Sequence, residues 1–393
     1  MVSEEMLALG TARSVIRELF EYGKERGKVI GEENVFDFSL GNPNCPPPPE
    51  IQAKARELLS VPNIHGYTSA QGDVGARTRL AQALSQKSGR TYLPEHFYLT
   101  VGAAAALTCC IRGLCCPQDE FLVLAPYFPE YLVFIQGNGG KAVIVPPDIP
   151  SFQVNFTAFS EKITPNTKAV LINTPNNPTG VVYDPQTLKK MGEILREKSA
   201  EYGHPIYLIS DEPYRELVYQ EEKIPWVADF YENTIVCYSF SKSLSLAGER
   251  LGYFLVGDHV ADWETVYWAM AGAGRSMGFV NAPSLFQQVC SYTSHLTGDL
   301  DFYRNNRDIL YQGLNSFGYE IQKPQGAFYL FPKALEEDDV AFCMKARDFD
   351  LLLVPGSGFG AQGYFRISYC VSATKVEGSL VKFQELAQFY GKG

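Results

Sequence analysis

No apolar run in the chain approaches the ~20 residues that a membrane span needs, which excludes a helical membrane protein. Basic excess is missing too. Asp and Glu outnumber Lys and Arg by 44 to 34, for a formal net charge of −10, and no basic block offsets them. A surface of that sign repels nucleic acid and anionic membranes, so neither is expected as a partner. Any anionic ligand must then be held by cations placed locally. Low-complexity tracts are absent. Met1 to Lys28 mixes acidic and basic residues without an apolar core segment, so no secretory leader is expected. The cysteines do not form an even set: nine in a chain of this length read as reduced thiols in a cytoplasm. Cys109-Cys110 and Cys115-Cys116 invite a metal reading, but they fall on a predicted buried helix without a second ligand group, and no metal is expected.

At 393 residues the chain exceeds one small core, so two domains are the default. Val15, Ile16, Leu19 and Phe20 recur at helical spacing and predict an N-terminal helix over Thr11 to Lys28. A short strand from Phe36 follows and ends in a turn at Gly41, which reads equally as a plain turn glycine or as one that lets backbone approach a ligand closely. Pro43 to Pro49 can be neither helix nor central strand and marks a boundary. From Glu50 to Asn281 strand and helix alternate. The strand candidates are His96–Gly102, Glu120–Pro126, Lys141–Pro146, Lys168–Thr174, Pro205–Asp211, Asn233–Phe240 and Arg250–Gly257. They are continuous apolar runs, as expected of strands covered on both faces. An α/β fold follows, with a mostly parallel, seven-stranded, doubly wound sheet. After Asn281 the alternation stops. A long helical region to Phe317, strands at Gly318–Gln322, Ala327–Phe331, Asp350–Val354 and Tyr364–Tyr369, and a last helix from Ala373 predict a smaller α+β domain. The expected division is therefore 1–49 as helix and arm joining the small domain, 50–282 as the large domain, and 283–393 as the small one.

Ligands of such sheets sit at the carboxyl ends of the strands. The first end gives Gly102-Ala-Ala104 opening a helix, whose free N–H groups and positive dipole end suit a phosphate. The second gives Ala125-Pro-Tyr-Phe-Pro129, with aromatics able to cover a flat ring. The fourth gives Asn173-Thr-Pro-Asn-Asn-Pro-Thr-Gly180, a fixed turn that can aim Asn177. The fifth places Asp211 and, three residues on, Tyr214. The sixth ends in Ser239-Phe-Ser-Lys242, with Arg250 eight residues later. A lysine among small hydroxyl residues at a strand end can be desolvated from its free value of about 10.4 and made nucleophilic toward carbonyls. Ser239, Ser241 and Arg250 then form a cradle for a dianion. Singly, each end is more often a cap or a turn; five on one sheet edge are not explained that way. Gly358-Phe-Gly-Ala-Gln-Gly363 matches a dinucleotide fingerprint, but a strand follows it and no βαβ unit does, so it is a loop.

The Asn177-Pro-Thr-Gly180 turn, Asp211-Glu-Pro-Tyr214, Ser239-Phe-Ser-Lys242 with Arg250 and Gly252, and Phe365-Arg-Ile-Ser368 resemble the fold type I, pyridoxal-phosphate-dependent aminotransferases of class I/II. The resemblance runs in order through nearly the whole chain. It implies an aminotransferase moving an amino group from an L-amino acid to a 2-oxo acid by a ping-pong route, with pyridoxal 5'-phosphate as cofactor. Lys242 resembles the lysine that carries the cofactor and shuttles the proton. Asp211 resembles the partner of the pyridine nitrogen, while Tyr214 and Asn177 resemble the donors to the ring's phenolate oxygen. Phe128 stands where the family stacks an aromatic on the ring. Gly102, Ala103, Ala104, Ser239, Ser241 and Arg250 would bind the phosphate. Tyr67 resembles the tyrosine that reaches the neighbouring subunit's phosphate, which implies a homodimer with shared sites. Arg366 resembles the arginine gripping the substrate α-carboxylate, with Gly41 and Asn177 lining the site. Two departures stand out. Ala103 to Ala106 offer backbone only where many members carry hydroxyl or amide side chains, and Phe128 replaces the tryptophan of some aspartate-specific members. A β-lyase of the cystathionine β-lyase type shares these motifs and stays open as an alternative. A cofactor-sensing regulator on this fold would need a fused DNA-binding module, and Met1 opens directly on the fold's own helix. A dicarboxylic substrate needs a second cation; Arg275 is the nearest candidate in sequence, though a surface arginine in a glycine-rich loop is its other reading.

Overall fold

The computed structural model describes residues 2–12, 15–219 and 224–392. In chain order come α1 (Glu4–Thr11), α2 (Val15–Ile30), β1 (Phe36–Asp37), α3 (Pro49–Leu58), α4 (Val74–Ser88), β2 (Phe97–Thr100), α5 (Ala103–Leu114), β3 (Glu120–Leu124), α6 (Glu130–Gln136) and β4 (Lys141–Val145). Next are α7 (Phe156–Lys162), β5 (Thr167–Asn173), α8 (Pro185–Tyr202), β6 (Tyr207–Asp211), β7 (Thr234–Ser239), α9 (Phe240–Ser243), β8 (Gly252–Val256) and α10 (Trp263–Ser276). The chain closes with α11 (Ser284–Tyr292), α12 (Leu300–Ser316), β9 (Tyr329–Leu330), α13 (Asp339–Ala346), β10 (Leu351–Leu352), β11 (Val354–Pro355), β12 (Phe365–Ser368) and α14 (Ala373–Phe389).

Seven strands form one sheet in the order β2-β8-β7-β6-β5-β3-β4. Only β8 runs against its neighbours, pairing antiparallel with β2 and β7. This is the mixed α/β architecture the continuous apolar runs predict, and burial shows why they are continuous. Phe121, Val123, Leu171, Ile209 and Ile235 pack in one cluster with Leu107 and Ile111 of α5 and Met270 of α10. Their alternate neighbours Leu122, Val170, Ile172 and Leu208 pack with Leu188, Met191 and Leu195 of α8. Both faces are covered, so period-2 alternation disappears. The helices start where their caps dictate. Asp184 accepts from Thr187 N at 2.6 Å ahead of α8, and Pro185 occupies the first turn, where a missing N–H is harmless.

A second cluster joins both ends of the chain. β1 pairs with β10 (Phe36 opposite Leu351), and β11, β12 and β9 form an antiparallel sheet. Phe38, Leu310, Leu314, Phe342, Phe365, Ile367 and Phe383 are buried together there.

Several expectations from the sequence change. The long helical region after Asn281 is two helices, broken where Gly298 N donates to Ser243 O at 2.7 Å and Asp299 caps α12 by accepting from Phe302 N. Gly318–Gln322 forms no strand. Of Ala327–Phe331 only Tyr329–Leu330 enters the ladder, because strand pairing depends on a partner that composition does not reveal. A further helix, α1, precedes α2 and buries none of its residues. Around Gly358–Gly363 the chain makes a short 3-10 turn, Gly356–Phe359, and then a loop. No helix among the described residues is long and apolar enough to cross a membrane.

Candidate active site

Because β2, β3, β5, β6 and β7 run parallel, their carboxyl ends meet at one edge, joined there by the amino end of antiparallel β8. A cavity of about 500 Å³ opens at that edge, a size that holds a cofactor with a small substrate. It is lined by Gly41, Ala103, Ala104, Phe128, Asn177, Asp211, Tyr214, Ser239, Ser241, Lys242, Arg250 and Arg366, residues spread over more than three hundred positions of sequence.

Lys242 lies in the one-turn helix α9, whose cap is Ser239, accepting from Ser241 N at 3.0 Å. Its Nζ donates to Gly41 O at 2.6 Å. Burial lowers its ammonium to about 8; nearby Arg366 and Arg250 push the same way, while Cys370 opposes them. A minor neutral fraction therefore exists at pH 7, the state an attacking or proton-accepting amine requires.

Asp211 closes β6. Tyr131 of α6 donates to its Oδ2 at 2.6 Å, and its Oδ1 is buried with no partner. Burial pushes the carboxyl up to about 7, Glu212 adds to the rise, and the tyrosine bond offsets part of it. An orphaned carboxylate oxygen lining a cavity suits a cationic N–H donor from a ligand. Tyr214 shares a 2.9 Å hydrogen bond with Tyr329, and burial raises its phenol well above the usual range.

The opposite end is built for an anion. Arg250 Nη1 donates to Ser241 Oγ at 3.4 Å, and Ser239 Oγ donates to Ser241 Oγ at 2.6 Å. Ala103 and Ala104 open the twelve-residue helix α5 there, presenting unpaired backbone N–H groups. Gly102 does not line the cavity. It caps α5 at φ 90°, and a Cβ in its place would lie 2.5 Å from Arg250 Nη2, so it leaves room for the arginine.

Arg366 on β12 is 2% exposed. Its Nη1 donates to Asn177 Oδ1 at 3.1 Å and its Nη2 to Ser39 O, while its Nε is buried without a partner. Asn177 is in turn oriented by Asn173 Oδ1, which accepts from its backbone N at 2.7 Å. A rigid guanidinium with one free donor in a dry wall fits a carboxylate fork.

Two residues singled out in the sequence are not gathered here. Tyr67 is 98% exposed, on a loop tied down by Asn281 Nδ2 donating to Thr68 O at 2.9 Å. Arg275, in the last turn of α10, is exposed and outside the cavity lining. Conversely, sequence reasoning missed Tyr131, Asn173 as an orienting group, and Tyr329. Only Asn173 carried a signal, as part of the strand-end turn. Among the described residues no cluster of three or more His, Cys, Asp or Glu could hold a metal ion. Cys109 and Cys110 are buried in α5, the latter 3.5 Å from Cys237 Sγ.

A buried amine of lowered basicity, an orphaned acid and two anion-binding ends on one doubly wound sheet define an enzyme acting on carbonyl and amine groups. The chain belongs to the family described as aminotransferase class I and II, whose pattern matches residues 33–382, and it is an aminotransferase. Members of that family are generally pyridoxal-phosphate dependent. An amino transferase structure from Eubacterium rectale superposes with a TM-score of 0.98 at 49% identity over 100% of both chains. An aspartate aminotransferase from Thermus thermophilus, solved with maleate, gives 0.84 at 26% identity over 98% and 99%. By sequence, the aspartate aminotransferase of Thermotoga maritima is 28% identical, covering 92% of this chain and 94% of its own. These relatives transfer amino groups, and they do not favour the β-lyase alternative.

Proposed function

We propose that this chain transfers an amino group from an L-amino acid to a 2-oxo acid in two half-reactions, using pyridoxal 5'-phosphate held in the cavity described above. The observation carrying this reading is the convergence of Lys242 Nζ, the orphaned Asp211 Oδ1 and the free Arg366 Nε on that one cavity. The residues fit the cofactor. Asp211 Oδ1 would accept from its ring nitrogen, Tyr214 and Asn177 would face its phenolate oxygen, and Phe128 would cover its ring. Ser239, Ser241, Arg250 and the N–H groups of Ala103 and Ala104 would hold its phosphate, with Gly102 shaping the turn. Once bound, the group supplies an electron sink for the charge left when the substrate α-proton departs.

The chain's own residues do the rest. Arg366 binds the α-carboxylate in a fork and, with Asn177 and Gly41 beside it, orients the Cα–H bond. Lys242 Nζ, released from Gly41 O, takes the α-proton and returns it. Asp211, kept from water by burial, stabilises the charge as it develops.

Three further points belong to the same reading. Residues 1–49 and 283–393 form a small domain and 50–282 the large one, consistent with the β1–β10 pairing. The enzyme is a homodimer in which Tyr67, fully out in solvent here, completes the partner's phosphate site. It works in the cytoplasm, where its nine free cysteines stay reduced.

A panel of amino donors tests the function, read as conversion of the bound cofactor from its aldehyde to its amine form. Conversion with at least one donor, reversed by a 2-oxo acid, is expected. Release of ammonia with pyruvate, without net amine formation, would overturn it in favour of elimination.

A further inference from the structure

The segment that carries Lys242 lines two cavities. Ser239, Ser241 and Lys242 line the one described above, while the alternate residues Tyr238 and Phe240 line another of about 390 Å³. The stretch after β6 divides in the same way: Pro213 and Tyr214 line the first cavity, Arg215 and Glu216 the second. A single layer of main chain therefore separates Lys242 from a polar pocket whose residues the proposed chemistry does not use.

An unbroken row of hydrogen bonds leads from that pocket toward Lys242. Lys87 Nζ, in the last turn of α4, donates to Glu216 Oε1 at 2.6 Å, and Tyr238 Oη donates to Glu216 Oε2 at 2.7 Å. Tyr238 Oη also lies 2.8 Å from Ser243 Oγ. A phenol has one proton, and Tyr238 gives it to the carboxylate, so Ser243 is the donor in the last bond. Burial opposes the charge on Glu216, but Lys87 and Arg215 outweigh it and hold the carboxyl below its usual range. Tyr238 has little freedom. It is 4% exposed, its ring stacks on Tyr253 with centroids 5.1 Å apart, and it meets Phe240 edge-on at 5.2 Å.

Ser243 follows Lys242 directly and is the last residue of α9. A four-residue helix closes few bonds of its own, and Leu244 N reaches Phe240 O only at 3.3 Å. Much of what holds α9 lies outside it. Phe240 N donates to Leu251 O at 3.1 Å, and Ser243 is gripped at its carbonyl by Gly298 N at 2.7 Å and at its hydroxyl by Tyr238. We infer that Tyr238, backed by Glu216 and Lys87, is a positioning residue that fixes α9 through Ser243 and so sets the approach of Lys242 Nζ to the substrate α-carbon. The inference rests on the proposed role of Lys242 and adds to it three residues outside the active cavity.

The test uses the cofactor-loaded enzyme and two variants that each remove one hydroxyl, Tyr238→Phe and Ser243→Ala. Each should lower kcat at least about tenfold and leave KM for the amino donor within about twofold, because Arg366 still grips the substrate. The double variant should lose no more than the worse single one, since both break the same hydrogen bond. The pH midpoint at which the bound cofactor's absorbance changes should move by at least about half a unit in both, a titration that needs no amino donor. Glu216→Gln, which keeps an acceptor for Tyr238, should retain more kcat than Glu216→Ala. Ser243→Ala deletes one oxygen and leaves the aromatic packing in place, so it carries the test if Tyr238→Phe does not fold. A lowered melting temperature with unchanged kcat and unchanged midpoint would reduce the row to a structural tie and overturn the inference. Additive losses in the double variant, or a change confined to KM, would overturn it as well. A parent enzyme that converts no donor, with the midpoint still displaced in both variants, would instead overturn the proposed function and support the placement of Lys242 by Tyr238.

Discussion

Asp211 shows how a single residue ties stability to function. Its folded value of about 7 against 3.8 in a free side chain means the fold prefers the protonated acid. Between those values the unfolded chain has released its proton and the cofactor-free fold has not, so Asp211 erodes stability as pH rises from about 4 to about 7. Asp211→Asn, which keeps an acceptor for Tyr131, should therefore stabilise the cofactor-free protein at pH 8, with ~4 kcal/mol as the ceiling, and should gain little at pH 4. Urea titrations at both pH values check this; equal destabilisation at both would contradict it. The same variant should lose at least about a hundredfold in turnover when loaded, because the charge partner acts as the transition state forms. Lys242→Ala should remain folded and still retain cofactor through the phosphate contacts, while its steady-state amino transfer disappears. Measurable turnover near the parent rate would remove Lys242 from the proposed chemistry.

At the scale of elements, the helix α2 links packing to catalysis. Its hold on the β1–β10 ribbon depends on Gly23, where any side chain meets Leu352 and Asp37. Gly23→Val should lift the helix from the ribbon and cost about 1–3 kcal/mol as an overpacking change. It should also raise KM for amino donors several-fold, since Ile16, Arg17 and Phe20 move with it. A drop in melting temperature with unchanged KM would show that α2 supports the fold without shaping the cavity. The apolar spacing of Val15, Ile16, Leu19 and Phe20 made this helix legible. Periodicity does not say which face meets what: Leu19 enters the core with Ile16 packed against it, and Ile16 and Phe20 also line the cavity. Sheet edges were less legible. At β9 only two residues of a five-residue apolar run enter the ladder, although Tyr369 N still donates to Phe328 O at 2.9 Å beside it.

For the whole molecule the telling residue is Tyr67. A tyrosine 98% exposed, on a loop fixed by Asn281, is not packed into its own subunit. If it serves the neighbour's phosphate site, Tyr67→Phe should weaken cofactor retention several-fold. Mixing it with Lys242→Ala under subunit exchange should regenerate activity, because one site of each hybrid then holds both native residues. A fully active monomer by sedimentation, or no recovery on mixing, would rule out shared sites.

By itself the sequence determined the class of fold and pointed to the candidate residues of the site. Buried parallel strands need unbroken apolar runs, and the catalytic residue types fall at strand ends, where backbone direction and local motif are set within a few residues. Lys242, Asp211 and Asn177 could be picked out for that reason, and Arg366 through the family resemblance of Phe365-Arg-Ile-Ser368. Tertiary structure alone decided which side chains the motifs meet. Tyr131 reaches Asp211 from eighty positions away, Gly41 receives Lys242 across 201, and Arg366 meets Ser39 across 327. It also put Arg275, which sits in a glycine-rich stretch, at the exposed end of α10 and outside the cavity lining. Such placements depend on contacts between distant segments, and no local pattern of residues encodes them.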